Sequence, residues 1–176
     1  MAVWIGVAIL VLIIQPKLSL FEYPLNLSVV VVYAFAIRQS MQQSAAVGSG
    51  DVSTEIKATI FGAVVGLLED GMSGSAIGPN LLGKGLVGLM SSFVFRDIFF
   101  QWDSSLGSIV LCILTIADGL IVIGLRLLVF NAVVSGWATA ELIAMQAIMN
   151  IPLGLLIKPG QKEAAERSWF QKRRYN

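Results

Sequence analysis

Between Leu106 and Leu128 the chain is almost wholly apolar and carries only two charges, Asp118 and Arg126. A helix over that stretch has the roughly 20 residues needed to cross the hydrocarbon of a bilayer. Within lipid the backbone must satisfy its own hydrogen bonds, so a run of this kind commits the chain to helices packed on helices. Composition extends the argument to the whole chain. With 56% hydrophobic and 13% charged residues among 176, a soluble fold would leave more apolar surface than it could cover.

Five further apolar segments share the pattern: Ala2 to Ile14, Leu25 to Ile37, Ile56 to about Leu68, Gly78-Pro79 to Phe95, and about Val134 to Ile157. The first is followed by "QPKLSLF", which lacks a small-x-small cleavage pattern, so it is predicted to remain as a membrane helix. The sequence therefore predicts an all-α polytopic membrane domain over residues 1–157 with six transmembrane helices, or five if the first segment does not span. A basic tail follows at 158–176. The polar stretch "RQSMQQSAAVGSGDVSTEIK" is predicted to be a loop in which Asp51 or Ser53 caps the next helix.

With six spans and both termini inside, nine basic residues face the cytoplasm: Arg38, Lys57, Arg96, Lys158, Lys162, Arg167, Lys172, Arg173 and Arg174. Only Lys17, Lys84 and Arg126 lie elsewhere, which satisfies the positive-inside rule and puts the C-terminus in the cytoplasm. From Lys158 onward six basic and two acidic residues give a net +4, interleaved with aromatics. Arg167, Trp169, Lys172, Arg173 and Arg174 are the candidate contacts to anionic lipid or to a cytoplasmic protein; an ordinary solvated tail is the simpler reading.

Histidine is absent and Cys112 is the only cysteine, which removes His-based catalysis, disulfides and Cys/His metal sites. No nucleophile paired with a base, no phosphate loop and no supported carboxylate dyad is present. The expectation is a non-enzymatic protein with no cofactor, no metal and no nucleic-acid partner.

Two places carry charge into apolar surroundings. In "GAVVGLLEDGMSGSAIGPNLLGKG", Ala58, Gly62, Gly66 and Asp70 recur every fourth residue and share one helix stripe. Gly62 and Gly66 form a GxxxG that favours close packing, read as intramolecular rather than toward a partner. Glu69 and Asp70 sit at a helix C-terminus, whose dipole repels them. The next helix starts a few residues later, and its amides near Gly78 to Leu81 form an anion site. Asp70 is predicted to pin a Gly-rich hairpin to that helix start, and Lys84, one turn further in, is within reach of a carboxylate. Glu69 is predicted to face the water interface. The second place is Asp118, costly at bilayer depth unless paired. It is predicted to join Arg126 and Glu141 in a buried network between the last two helices, either as a folding pin or as a polar cavity lined also by Asn131 and Gln146.

The stretch "FGAVVGLLEDGMSGSAIGPNLLGKGLVGLM" resembles the MreD family of bacterial rod-shape-determining membrane proteins. The likeness rests on Gly62, Gly66 and Leu67, then Asp70, the turn through Ser73, Gly74 and Ser75, and Gly78 with Asn80 opening the next helix. "FEYPLNLSVVVVYAFAI" is similar to that family's second span, and Glu69 stands where an apolar residue is usual. The resemblance implies a fold similar to the substrate-binding subunits of energy-coupling-factor vitamin transporters. It also implies a place in the bacterial cytoplasmic (inner) membrane and binding to the single-pass protein MreC. Through that complex it implies work with MreB, RodA and a class B penicillin-binding transpeptidase in lateral peptidoglycan synthesis. The alternative is a substrate-binding transporter subunit, although no convincing Ala-x-x-x-Ala coupling helix is present.

Overall fold

A helix that is apolar on every side must be surrounded, and "LSVVVVYAFAI" is such a helix. In a computed structural model, which describes residues 2–20, 23–45, 53–74, 77–94, 104–131 and 135–157, it forms the first part of a central helix. The order is α1 (Ala2–Ile14), α2 (Leu27–Ala45), α3 (Ser53–Ser73), α4 (Pro79–Phe93), α5 (Ser104–Phe130) and α6 (Gly136–Leu156). Between α1 and α2 lie a 3-10 turn at Gln15–Lys17 and two short antiparallel strands, β1 (Ser19–Leu20) and β2 (Tyr23–Pro24). Val29, Val32, Tyr33, Phe35, Ala36 and Ile37 of α2 are all buried. Around them pack Ala8 of α1, Phe61 and Val65 of α3, Val87 of α4, and Leu111 and Leu114 of α5. Phe35 stacks on Phe61 with centroids 4.1 Å apart and meets Trp4 edge-on.

Among the described residues the protein is all-helical apart from that small hairpin. Among the described residues two helices are long and apolar enough to cross a membrane, over Ser104–Val129 and Gly136–Leu156. The apolar parts of the first two, Ala2–Lys17 and Leu27–Ser40, are shorter. The 15 residues of α4 rise about 22 Å at 1.5 Å each, less than a hydrocarbon core of about 30 Å.

Two helix ends differ from the sequence expectation. The second helix does not stop at Ile37 but continues to Ala45, because Arg, Gln, Met and Ala favour helix even where they are polar. The third runs through Glu69 and Asp70 to Ser73 and ends at Gly74, whose φ of 61° is the left-handed stop that glycine adopts without steric cost. Asp51 lies outside the described residues.

The stripe on α3 is used within the chain. Gly62 faces the carbonyl of Lys84, Gly66 faces the carbonyl of Asn80, and Ala58 faces Gly88, so the stripe runs antiparallel along α4 with backbone against backbone. At Gly66 a Cβ would overlap the Asn80 carbonyl and come within 2.7 Å of the Leu81 Cα. Beyond this pair, α4 packs on α5 and α5 on α6, while α2 lies against both α3 and α4.

A Cβ at Gly66 has nowhere to go, whereas one at Gly71 meets nothing within 4 Å. Gly66→Ala should therefore cost about 1–3 kcal/mol or more by overpacking, while Gly71→Ala should cost nothing and gain up to about 1 kcal/mol of helix propensity. Thermal unfolding of the two variants in detergent checks the contrast.

Candidate functional site

Asp70 is the last member of the α3 stripe, and the close approach at Gly66 brings the first turn of α4 to its carboxylate. The backbone N–H of Gly78 donates to Oδ2 at 2.8 Å, that of Leu81 to Oδ2 at 3.2 Å, and that of Asn80 to Oδ1 at 3.3 Å. The Asn80 side-chain amide adds a fourth bond to Oδ1 at 2.7 Å. A helix start leaves four backbone positions without an intrahelical partner. In α4 one of them is Pro79, which has no N–H to leave unpaired, and the other three are these donors. One carboxylate thus completes the entire N-terminus, with the helix dipole favouring its charge. Gly78 can present its N–H because its φ of 132° is open to glycine and rarely to other residues. Ser73 donates its hydroxyl to the Asp70 carbonyl, and Leu67 points away, exposed.

Asn80 links this cap to a second, deeper group. Its Oδ1 accepts a hydrogen bond from Lys84 Nζ at 3.2 Å, one turn into α4. The same ammonium lies 2.9 Å from Glu69 Oε2 and 3.5 Å from Asp118 Oδ2. The ammonium donates hydrogen bonds to Asn80 and Asp118 and forms ion pairs with Glu69 and Asp118, so side chains from three helices surround it. The Lys84 and Asp118 side chains are 1% and 2% exposed and that of Glu69 is 20%. Asp118 Oδ2 also accepts from the Asn26 side-chain amide at 3.2 Å. Its Oδ1 has no hydrogen-bond partner and rests against Gly83, where a Cβ would come within 2.6 Å.

From Asn26 the polar chain continues into α6. The Asn26 Oδ1 accepts from the Ser28 hydroxyl and caps the start of α2 by accepting from the Val29 N–H, while its carbonyl accepts from the Asn150 amide at 3.4 Å. Asn150 also donates to the Thr115 hydroxyl at 2.9 Å. A continuous buried line of polar groups therefore runs Asp70, Asn80, Lys84, Asp118, Asn26, Asn150, Thr115, passing through the backbone carbonyl of Asn26 and touching α3, α4, α5, the entry to α2 and α6.

Two expectations are corrected. Glu69 does not stand free at the water interface, because α4 approaches so closely that the buried Lys84 reaches it. Asp118 does not join Arg126 and Glu141; its partners are Lys84 and Asn26. Arg126 lies two turns along the same helix, a rise of about 12 Å, and Glu141 is on the exposed side of α6. The buried polar contact between the last two helices is Thr115 with Asn150. Asn131 is exposed at the end of α5 with φ 47°, and Gln146 is half-buried. Arg167, Trp169, Lys172, Arg173, Arg174 and Ser75 lie outside the described residues. Asn26, Thr115 and Asn150 were not singled out from sequence, although Asn150 in "AIMNIPLG" and Lys84 between two glycines are isolated polar residues in apolar runs.

The two sites differ in charge balance. Asp70 is neutralised by helix amides, while Lys84 supplies one positive charge to two carboxylates. Among the described residues, no group of three His, Cys, Asp or Glu side chains gathers as a metal site would require. The arrangement can fix helix positions. Compared with family models, curated proteins and solved structures, the chain matches none.

Removing Lys84 leaves the buried Asp118 and the part-buried Glu69 without their counter-charge, so Lys84→Met should destabilise by about 3–5 kcal/mol. Asp118→Asn keeps an acceptor for Lys84 and Asn26 and leaves a one-to-one ion pair, so it should stay within about 1 kcal/mol of the parent or exceed it. Asp70→Asn removes one acceptor oxygen and the charge from the cap, at a cost of about 2–3 kcal/mol. Denaturation in mixed micelles orders the three.

Proposed function

We propose that this chain is a non-enzymatic, MreD-type subunit of the bacterial cell-elongation machinery. In this reading it lies in the cytoplasmic membrane as a six-span protein with its C-terminus in the cytoplasm. It binds the single-pass protein MreC, and through that complex it supports lateral peptidoglycan synthesis together with MreB, RodA and a class B penicillin-binding transpeptidase.

The observation that carries the reading is the α3–α4 hairpin. The residues on which the resemblance rests are the ones that make it: Gly62 and Gly66 take the close backbone approach, Asp70 accepts the cap, Gly78 and Asn80 donate to it. A motif with this use is an architectural device, consistent with a subunit that positions others. Its one strong anion is consumed by helix amides and its lysine by three acceptors, so neither is available as a general base or nucleophile in the folded state. Two long apolar helices and two shorter ones support a membrane location, and an apolar outer surface including Leu128, Leu156 and Trp137 suits lipid.

A clean deletion in the host should convert rods to rounded cells, and tagged protein should co-purify with MreC from detergent extract. Retained rod shape without a paralogue would contradict the proposal. Co-purification with an energising ATPase module, or tight binding of one small molecule, would point instead to a substrate-binding transporter subunit.

A further inference from the structure

The first two helices are shorter than the bilayer they enter. Their apolar parts, Ala2–Lys17 and Leu27–Ser40, rise about 24 Å and about 21 Å at 1.5 Å per residue, against a hydrocarbon core of about 30 Å. They run antiparallel. Trp4 meets Phe35 edge-on and has the Arg38 guanidinium over its ring, while at the other end the Gln15 side-chain carbonyl accepts from the Ser28 N–H. The chain therefore turns back between Gln15 and Asn26, and the Leu25 N–H closes that turn by donating to the Leu18 carbonyl.

Asn26 fixes how deep that turn lies. Its side chain donates to Asp118 on α5, and its carbonyl accepts from Asn150 on α6, which also donates to Thr115. At 1.5 Å per residue Asp118 is about 21 Å from the Ser104 end of α5 and about 18 Å from its Phe130 end, and Asn150 is about 21 Å from the Gly136 end of α6 and about 9 Å from its Leu156 end. Further along α2, Tyr33 donates its hydroxyl to the Gly107 carbonyl, so α2, and α1 beside it, occupy the Ser104 half of the bundle. The turn thus sits near the middle of the span, and α5 and α6 both continue past it on the Phe130 side.

Pro16, Lys17 and Leu18 belong to this turn and are exposed. Irregular backbone at such a depth is stable only inside protein or against water, and the described residues leave these three uncovered. Lys17 adds a charge that is costly against hydrocarbon, and its four-carbon stem is too short to carry the ammonium from mid-span to either interface. We infer that water fills a cleft over the α1–α2 turn, open on the Phe130 side of the bundle, so that the first two spans are completed by water instead of helix and Lys17 is solvated near mid-depth. Asn26 beneath is buried, so the cleft ends on the residue that links α2 to the Asp118–Lys84 group. The inference is independent of any partner and takes from the functional reading only that α5 and α6 span a bilayer.

The test uses the full-length protein in sealed lipid vesicles, scored only where a tag on the C-terminal tail is shielded inside, so that an impermeant reagent added outside meets the Phe130 side. In a Cys112→Ala background, Lys17→Cys should react with a charged thiol reagent about tenfold or more faster than Leu120→Cys, which lies at similar depth on the exposed face of α5, because a thiol in water ionises to the reactive thiolate and one in lipid does not. In the parent protein, which needs no substitution, an impermeant amine-reactive ester should acylate Lys17, as read by mass spectrometry. Labelling of Lys17→Cys as slow as that of Leu120→Cys would overturn the inference, and so would a parent Lys17 that stays unmodified. Rapid labelling of both cysteines would overturn it by placing α5 outside lipid, and would count against the membrane location as well; slow labelling of both leaves that location standing, so the two can fail separately.

Discussion

The ammonium of Lys84 is the point on which the described structure converges. A lysine this deep in an apolar bundle is tolerated only if opposite charge and acceptors meet it: it forms ion pairs with Glu69 and Asp118 and donates hydrogen bonds to Asn80 and Asp118. That requirement fixes the position of α4 relative to α3 on one side and α5 on the other. Because Asp118 also holds Asn26, and Asn26 holds Asn150, the same constraint extends to the entry of α2 and to α6. Apolar contacts are non-directional, so directional polar contacts of this kind select the arrangement.

The hairpin and the triad depend on each other through distance. Gly62 and Gly66 let the α4 backbone come against α3, and only at that separation does Asp70 reach the amides of Gly78, Asn80 and Leu81. The same approach brings Lys84 within 2.9 Å of Glu69. Two adjacent carboxylates therefore have different fates set by helix geometry: about 100° apart around α3, one meets the start of the next helix and the other its side chain. Asn80 belongs to both groups, donating to Asp70 and accepting from Lys84.

What was legible in the sequence follows the separation of the partners. The Asp70 cap joins residues 8 to 11 positions apart across one turn, and its parts could be seen in a single stretch: stripe, acid, glycine turn, proline at a helix start. The apolar α5 and α6 were equally plain from run length alone. The pairing of Asp118 with Lys84 spans 34 positions and that with Asn26 spans 92, and depends on which helices are neighbours, which periodicity does not encode. Proximity along the chain favoured Arg126 for Asp118, but residues two turns apart on one helix are separated by its rise. Glu69 was assigned to water because a helix end is an ordinary place for a solvated acid, although Lys84, one turn into the next helix, was already within reach of a carboxylate, and Glu69 is the one it meets. Asn150 and Thr115 were hidden among polar side chains that often bond only to their own helix, as Thr115 also does to Leu111.

A double-mutant cycle between Lys84 and Asp118 tests the central role of the buried lysine most directly. Equilibrium unfolding in detergent would be measured for the parent, Lys84→Met, Asp118→Asn and the double variant. If Lys84 is the counter-charge for Asp118, Asp118→Asn should stabilise the Lys84→Met background by about 1–3 kcal/mol more than it changes the parent. Additive effects, in which Asp118→Asn changes stability by the same amount with and without Lys84, would contradict it.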